Sequence, residues 1–172
     1  MDRLWAPWRI NYVAKKRQKK CVFCQCAKTK GPGQVFLNTK YCLAIVNIYP
    51  YNNGHVMVSP KRHTRDIGSL NQEELLDLGS TVILAKKILD ETLKPHGYNI
   101  GMNLSSAAGA GIAGHLHVHL VPRWRGDTNF MPTIANTKVI SQSLKELYTR
   151  LTKAAAKQLS YARSKSNKKI RR

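Results

Sequence analysis

The stretch His115-Leu-His-Val-His-Leu-Val-Pro122 constrains this chain more than any other. Polar and apolar residues alternate through it, which is the period of a strand whose successive side chains point to opposite faces. On such a strand all three imidazoles point the same way, about 6.6 Å apart along the chain. A single histidine in that setting is ordinarily structural. Three in alternation, out of six in the protein, point to chemistry. The loop just before them, 105–114, is built from small residues and contains Gly109, Gly111 and Gly114. Loops of this kind offer backbone N–H groups to phosphate oxygens, although a tight turn explains the composition equally well.

The surrounding pattern supplies the rest of a small domain. Residues 35–37 and 40–46 read as strands joined by a turn at Asn38-Thr39, and 55–59 as a short buried strand closed by Pro60. Residues 72–94 form the clearest helix, with Leu75, Leu78, Val82, Ala85 and Leu89 on one face. Asn71 is placed to cap it with Glu74 three residues later, and Pro95 and Gly97 mark its end. Tyr98, Ile100, Met102 and Leu104 alternate with small or polar residues, as in a half-buried strand. A second helix is expected over 141–162, with Leu144, Leu147, Tyr148 and Leu151 inward. With 172 residues and 42% hydrophobic content, the chain has room for one domain with a real core. The order strands, helix, strands, helix predicts an α+β domain on a mostly antiparallel sheet.

Charge divides the chain differently. Lys and Arg number 29 against nine acids, a net charge of +20. Between Arg3 and Arg65 there is no acid and thirteen bases; from Asp66 to Glu146 eight acids meet seven bases; after Glu146 come nine bases and no acid. The middle is an ordinary globular surface, and the positive ends attract polyanions such as nucleotides, nucleic acid or anionic lipid. A solubilising basic tail is the plainer reading of the C-terminus. No apolar run approaches the ~20 residues of a membrane span, and Pro7 and Arg9 break the only candidate leader. A cytoplasmic protein is therefore expected, and in that compartment Cys21-x-x-Cys24 reads as metal-binding or redox-active.

Two chemistries fit the three imidazoles. In one, a neutral imidazole attacks phosphorus, forms a covalent phosphoramidate and is relieved by a second nucleophile. Flanking histidines then orient it and donate a proton to the leaving group. In the other, a His-x-His pair binds a catalytic zinc that activates water. That route usually wants a carboxylate, and Asp127 is the only acid between Glu91 and Glu146.

The seven residues 115–121 match every position of the His-φ-His-φ-His-φ-φ motif, with φ apolar, that names the histidine-triad (HIT) superfamily. The resemblance extends through Asn47-Ile-Tyr-Pro50, Gly54-His55-Val-Met-Val-Ser-Pro-Lys-Arg-His63, Gly101-Met-Asn103 and Pro122-Arg-Trp124, so it covers roughly residues 21–130. The opening Trp5-Ala-Pro-Trp-Arg9 and the stretch 122–130 are similar to the bacterial diadenosine tetraphosphate phosphorylase, or ATP adenylyltransferase, branch.

What the resemblance implies can be placed on individual residues. The fold would be HIT-like: an antiparallel sheet of about five strands, one long central helix and a C-terminal helix. His117 would be the nucleophile that takes AMP from the α-phosphate, His119 would bind phosphate and assist the leaving group, and His55 would position the phosphates. Asn47 falls where relatives hold the ribose hydroxyls, and Asn103 where they place an amide near the phosphates; either could instead simply cap a turn. Ile48, Ala110, Gly111 and Ile112 complete the substrate-binding set. Relatives often carry Ser or Thr three or four residues before the first histidine, where this chain has Ile112 and Gly111. Backbone amides would then meet the phosphate, and the choice of phosphate or water as second nucleophile stays open. Cys21 and Cys24 would join His63 and His115 in a closed, structural zinc site, with Cys26 and Cys42 as spectators.

The implied reaction is phosphorolysis of diadenosine tetraphosphate to ATP and ADP through AMP-His117, with no organic cofactor. The alternatives are a diadenosine polyphosphate hydrolase, a nucleoside phosphoramidase or, from a different class, a nucleic-acid-binding protein gripping phosphates with its basic ends. Implied partners are adenine nucleotides, inorganic phosphate and a second copy of the chain, without a membrane. The domain would occupy 21–162, between a basic, aromatic extension at 1–20 and a disordered basic tail at 163–172.

Overall fold

The computed structural model describes residues 21–28, 34–127 and 142–170. The extension at 1–20, the Gly31-Pro-Gly33 turn and the last two arginines lie outside the described residues, as do residues 128–141. Five strands, β1 (Val35–Asn38), β2 (Cys42–Val46), β3 (Val56–Pro60), β4 (Gly97–Met102) and β5 (Val118–Arg123), form one antiparallel sheet in the order β1-β2-β3-β5-β4. Among the described residues three α-helices accompany it: α1 (Val22–Lys28), α2 (Gln72–Leu93) and α3 (Leu144–Ile170). The expected α+β fold is the one observed.

β2 and β3 are buried at every position because both faces of the sheet are covered. Cys42, Ala44, Val46, Val56, Val58, Val118 and Leu120 turn toward α2 and α3 and build the main core. Leu43, Ile45 and Met57 turn the other way, against Phe23 and Cys26 of α1. Alternation along β5 therefore sends Val118 and Leu120 to the main core and His119, which pairs with Met57, to the α1 face. Sequence periodicity gives no hint of α1, whose seven residues hold together by packing Phe23 into this second cluster.

Four sequence expectations are corrected. The strand holding the histidines begins at Val118, not His115. Pro60 has no N–H to extend the β3 ladder; Leu116 N–H instead bonds Thr64 O at 2.6 Å, and the Ser59 hydroxyl donates to Leu116 O at 2.9 Å. On α2 the buried stripe is Leu78, Thr81, Ala85, Ile88 and Leu89, while Leu75 is 48% exposed, because a neighbouring apolar stripe misleads the count. β4 is an edge strand that leaves Ile100 and Met102 exposed instead of half-buried. Finally, helix α3 continues to Ile170, through residues read as a tail, since 144–170 holds no Gly or Pro and is rich in Ala, Leu, Lys and Arg. Its start is capped by the Ser143 hydroxyl, which accepts the Glu146 N–H at 3.2 Å.

The α2 cap forms as read: Asn71 accepts the Glu74 N–H at 2.8 Å, and Glu74 accepts the Asn71 N–H at 3.1 Å. The same carboxylate takes a bidentate pair from Arg62 at 2.7 Å, which ties the segment leaving β3 to the helix. The Arg62 guanidinium, aided by the Asn71 N–H, holds the Glu74 carboxyl down at about 2, against an ordinary 4.5. Its stabilising contribution is complete above pH 4.5 and is lost as pH falls toward 2. Melting wild type and Glu74→Gln at stepped pH should show wild type ahead at pH 7 and the gap closing across that window. A gap independent of pH would refute the assignment.

Gly54 holds the turn before β3 at φ +73°, a conformation that favours glycine. A Cβ there would overlap Leu93 Cδ1 and lie 3.1 Å from Pro122 Cγ. Strain and clash together predict that Gly54→Ala costs about 2–4 kcal/mol. Denaturant unfolding checks it, and a loss below 1 kcal/mol would mean that the turn relaxes freely.

Candidate active site

Two clusters of chemical groups meet on the α1 face, and residue His115 belongs to both. In the first, Cys21 Sγ lies 3.2 Å from His115 Nδ1, Cys24 Sγ 3.2 Å from His63 Nδ1, and the two Nδ1 atoms 3.1 Å apart. All four ligand atoms fall within 4.8 Å of one another. Tetrahedral zinc with ordinary Zn–S and Zn–N lengths needs separations of about 3.3–3.8 Å between its ligands, so the set fits. Donor chemistry agrees: His115 Nε2 lies 2.9 Å from Pro60 O, a carbonyl that only accepts. The His115 proton is thus on Nε2, and its Nδ1 lone pair faces the sulfurs. Cys42 stands apart with its thiol pushed up to about 12, first by burial and then by Asp77, and burial raises Cys26 as well. Neither is a reactive thiol.

In the second cluster His117 Nδ1 lies 2.7 Å from the His115 carbonyl. By the same reasoning Nδ1 carries the proton and Nε2 carries a lone pair. Burial pushes this imidazole below its ordinary range, against the opposing pull of that carbonyl, so it stays a neutral base. Phe23 packs at 5.1 Å on both the His115 and the His117 rings, so α1 backs the two imidazoles together. The His119 ring stands edge-on to His117 at 4.8 Å, and its Nδ1 is 2.9 Å from His55 Nε2. His55 is wholly buried.

The substrate-binding expectations divide. Asn47 accepts the Tyr49 N–H at 2.9 Å, and its Nδ2 lies 3.2 and 3.5 Å from the two nitrogens of His55. Near-equal distances put that amide against the ring, not along one lone pair. Asn47 thus shapes a turn and braces His55. Ile48 is 42% exposed beside it. Asn103 donates to Gly109 O at 3.5 Å within its own loop, where Ser105 and Gly109 adopt positive φ. Ala110 and Gly111 lie at the surface of that loop, and Ile112 packs on the Phe23 cluster.

Two contributors escape the motif. The Tyr51 ring covers His55 at 4.6 Å and His119 at 5.7 Å, and its N–H donates to His55 Nδ1 at 3.0 Å. Asp127 accepts from Asn52 Nδ2 at 2.8 Å, from Arg123 Nε at 2.6 Å and Nη2 at 2.8 Å, and from Trp124 N at 3.1 Å. That carboxylate pins the Tyr51–His55 turn to the end of β5 and takes no part in a metal set. Its sequence signal was present: the one acid in a long acid-free stretch, four residues after Arg123.

Known proteins resemble this chain in sequence and fold. A family model described as the HIT domain matches residues 28–126. A Mycobacterium tuberculosis protein named AP-4-A phosphorylase is 37% identical over 168 residues, covering 92% of this chain and 86% of its own. The bis(5'-nucleosyl)-tetraphosphatase [asymmetrical] of Schizosaccharomyces pombe is 35% identical over 94 residues, 55% of this chain and 51% of its own. Among solved structures, a Zn-bound histidine triad family protein from Mycobacterium smegmatis superposes with a TM-score of 0.65 at 28% identity, over 83% of this chain and 96% of that one. With the histidines in place and more than half of its length matched by the family model, the chain belongs to the HIT domain family.

Proposed function

We propose that the protein cleaves diadenosine polyphosphates through a covalent AMP-His117 intermediate, and that its main reaction is phosphorolysis of diadenosine tetraphosphate. The observation that carries this is the hydrogen bond from His117 Nδ1 to the His115 carbonyl, which leaves Nε2 as an unprotonated nucleophile. His117 attacks the α-phosphorus, ATP departs, and inorganic phosphate attacks the P–N bond to give ADP and restore the imidazole. His119 holds the phosphate oxygens and His55, bonded to its Nδ1, positions it from behind. Asn47 and Ile48 take the ribose side, and Asn103 with the amides of Ala110, Gly111 and Ile112 the remaining phosphates. The likeness to AP-4-A phosphorylase supports this choice of reaction. Incubating diadenosine tetraphosphate with the protein, with and without phosphate, tests it. Phosphate-dependent ATP plus ADP is the expected result; ATP plus AMP in both tubes would make the enzyme a hydrolase, and oligonucleotide binding without turnover would favour a nucleic-acid-binding role.

The Cys21, Cys24, His63 and His115 site would hold a structural zinc, whose chemistry is to fasten α1 and the β3–α2 connection beside β5. A second copy of the chain is proposed to pair along the edge strand β4, where Ile100, Met102 and nearby Leu104 expose apolar surface and the backbone has an unpaired edge. Light scattering should give a dimer mass that Ile100→Glu halves; a monomeric wild type would refute it. Among the described residues no helix is long and apolar enough to cross a membrane, and we place the protein in the cytoplasm with its nucleotide substrates.

A further inference from the structure

The main chain fixes where the protons of the His55–His119 pair sit. Tyr51 N–H donates to His55 Nδ1 at 3.0 Å, and an amide nitrogen cannot accept in return. His55 therefore carries its proton on Nε2. That nitrogen lies 2.9 Å from His119 Nδ1, and ring centroids 5.1 Å apart fit two imidazoles joined head to tail. Since His55 Nε2–H donates to His119 Nδ1, the proton of His119 is on Nε2. A further proton on either ring would displace a hydrogen bond: at His55 Nδ1 it meets the Tyr51 N–H, and at His119 Nδ1 the His55 N–H. The groups facing the pair are the Tyr51 ring, the Asn47 amide, the buried His117, and Met57 and Gly101 opposite His119 in the sheet.

We propose that this pair is a neutral hydrogen-bond donor and not a general acid, and that the site consequently selects adenylates whose leaving group departs without a proton. The inference rests on the covalent reading above and narrows its substrate class to phosphoanhydrides, ahead of phosphoramidates. In the first step the His117 Nε2 lone pair forms the N–P bond while the P–O bond to the β-phosphate breaks, and its electron pair leaves on that oxygen. A terminal phosphate has a second pKa of about 6 and is stable in this form at neutral pH. An alkylamine, whose conjugate acid has a pKa of about 10.4, must be protonated to leave. His119 cannot supply that proton without itself becoming an imidazolate. Its Nε2–H holds the phosphate oxygens through the step and keeps its proton.

The test uses the full-length protein in single turnover, reading adenylylated protein by intact mass. The donors are diadenosine tetraphosphate, an N-alkyl adenosine 5'-phosphoramidate, and a series of AMP aryl esters with phenols of graded acidity. Across the esters the rate should fall steeply, by roughly tenfold per unit rise in phenol pKa, as expected without proton donation. The amidate should react on the order of 10²–10⁴-fold more slowly than the tetraphosphate, the usual contribution of a general acid. In His55→Asp a carboxylate replaces the neutral ring and accepts a hydrogen bond from His119 Nδ1–H. The negative charge lets His119 take up a second proton from water and become an imidazolium, whose Nε2–H can be given to the leaving group, so the slope should flatten. If that variant does not fold, the wild-type slope still decides. A flat slope with adduct formed from every donor overturns the proposal and leaves the covalent reading standing. No adduct from any donor overturns both.

Discussion

His117→Ala is expected to abolish adenylylated protein and to lower turnover of diadenosine tetraphosphate by roughly 10³–10⁶-fold, the range over which removing a nucleophile acts elsewhere. The size follows from the arrangement: the neighbouring rings cannot take over. His115 Nδ1 faces Cys21 and its Nε2 faces Pro60 O, so neither nitrogen is available to phosphorus. His119 Nδ1 is engaged by His55. Because His117 is buried, the alanine also opens a cavity, and thermal melting must accompany the kinetics. A folded His117→Ala protein that still traps labelled AMP would move the nucleophile to another residue.

Loss of the proposed zinc site should act on stability more than on any chemical step. For a metal held at about 1,000 times its Kd, linkage gives about 4 kcal/mol, or a fall in Tm of roughly 8–16 °C for a chain of this size. Cys24→Ala should therefore bind less than one zinc per chain and melt that much lower, and a strong chelator should do the same to wild type while leaving Cys24→Ala unmoved. The fall would reflect the geometry, because the four proposed ligands come from the start of α1, the segment after β3 and the approach to β5, and a metal would add a bond between α1 and the other two beyond the packing of Phe23. Equal melting with and without chelator would show that Phe23 and its cluster hold α1 unaided.

Local signals account for most of what the sequence disclosed. The Asn71–Glu74 capping box and the β1–β2 hairpin depend on residues close in the chain; the cap appears where expected, and the hairpin forms with its turn moved one or two residues on, to 39–41. Bringing Cys21 and Cys24 to His63 and His115 spans up to 94 residues, and only the family resemblance pointed to it. The misreadings have tertiary causes. Leu75 looks like a core residue until α2 settles on a face that leaves it outside, and Ile100 looks half-buried until β4 proves to be an edge. His115 fits a strand period, yet Pro60 opposite cannot donate, so its backbone turns to other partners. Tyr51 carried no signal because its part is played chiefly by a main-chain N–H, which every residue but proline possesses.

The same reliance on the main chain bears on how the enzyme tolerates change. His115, His117 and His55 each take their proton placement from a peptide group: Pro60 O, His115 O and Tyr51 N–H. Side-chain replacement cannot erase such partners, so the proton pattern is robust to most point substitutions as long as the chain keeps its path. The corresponding weakness is local opening. A transient fraying of the 49–54 turn that leaves the core intact would scramble the tautomers and silence the site, and amide hydrogen exchange at Tyr51 would report it before any melting curve did.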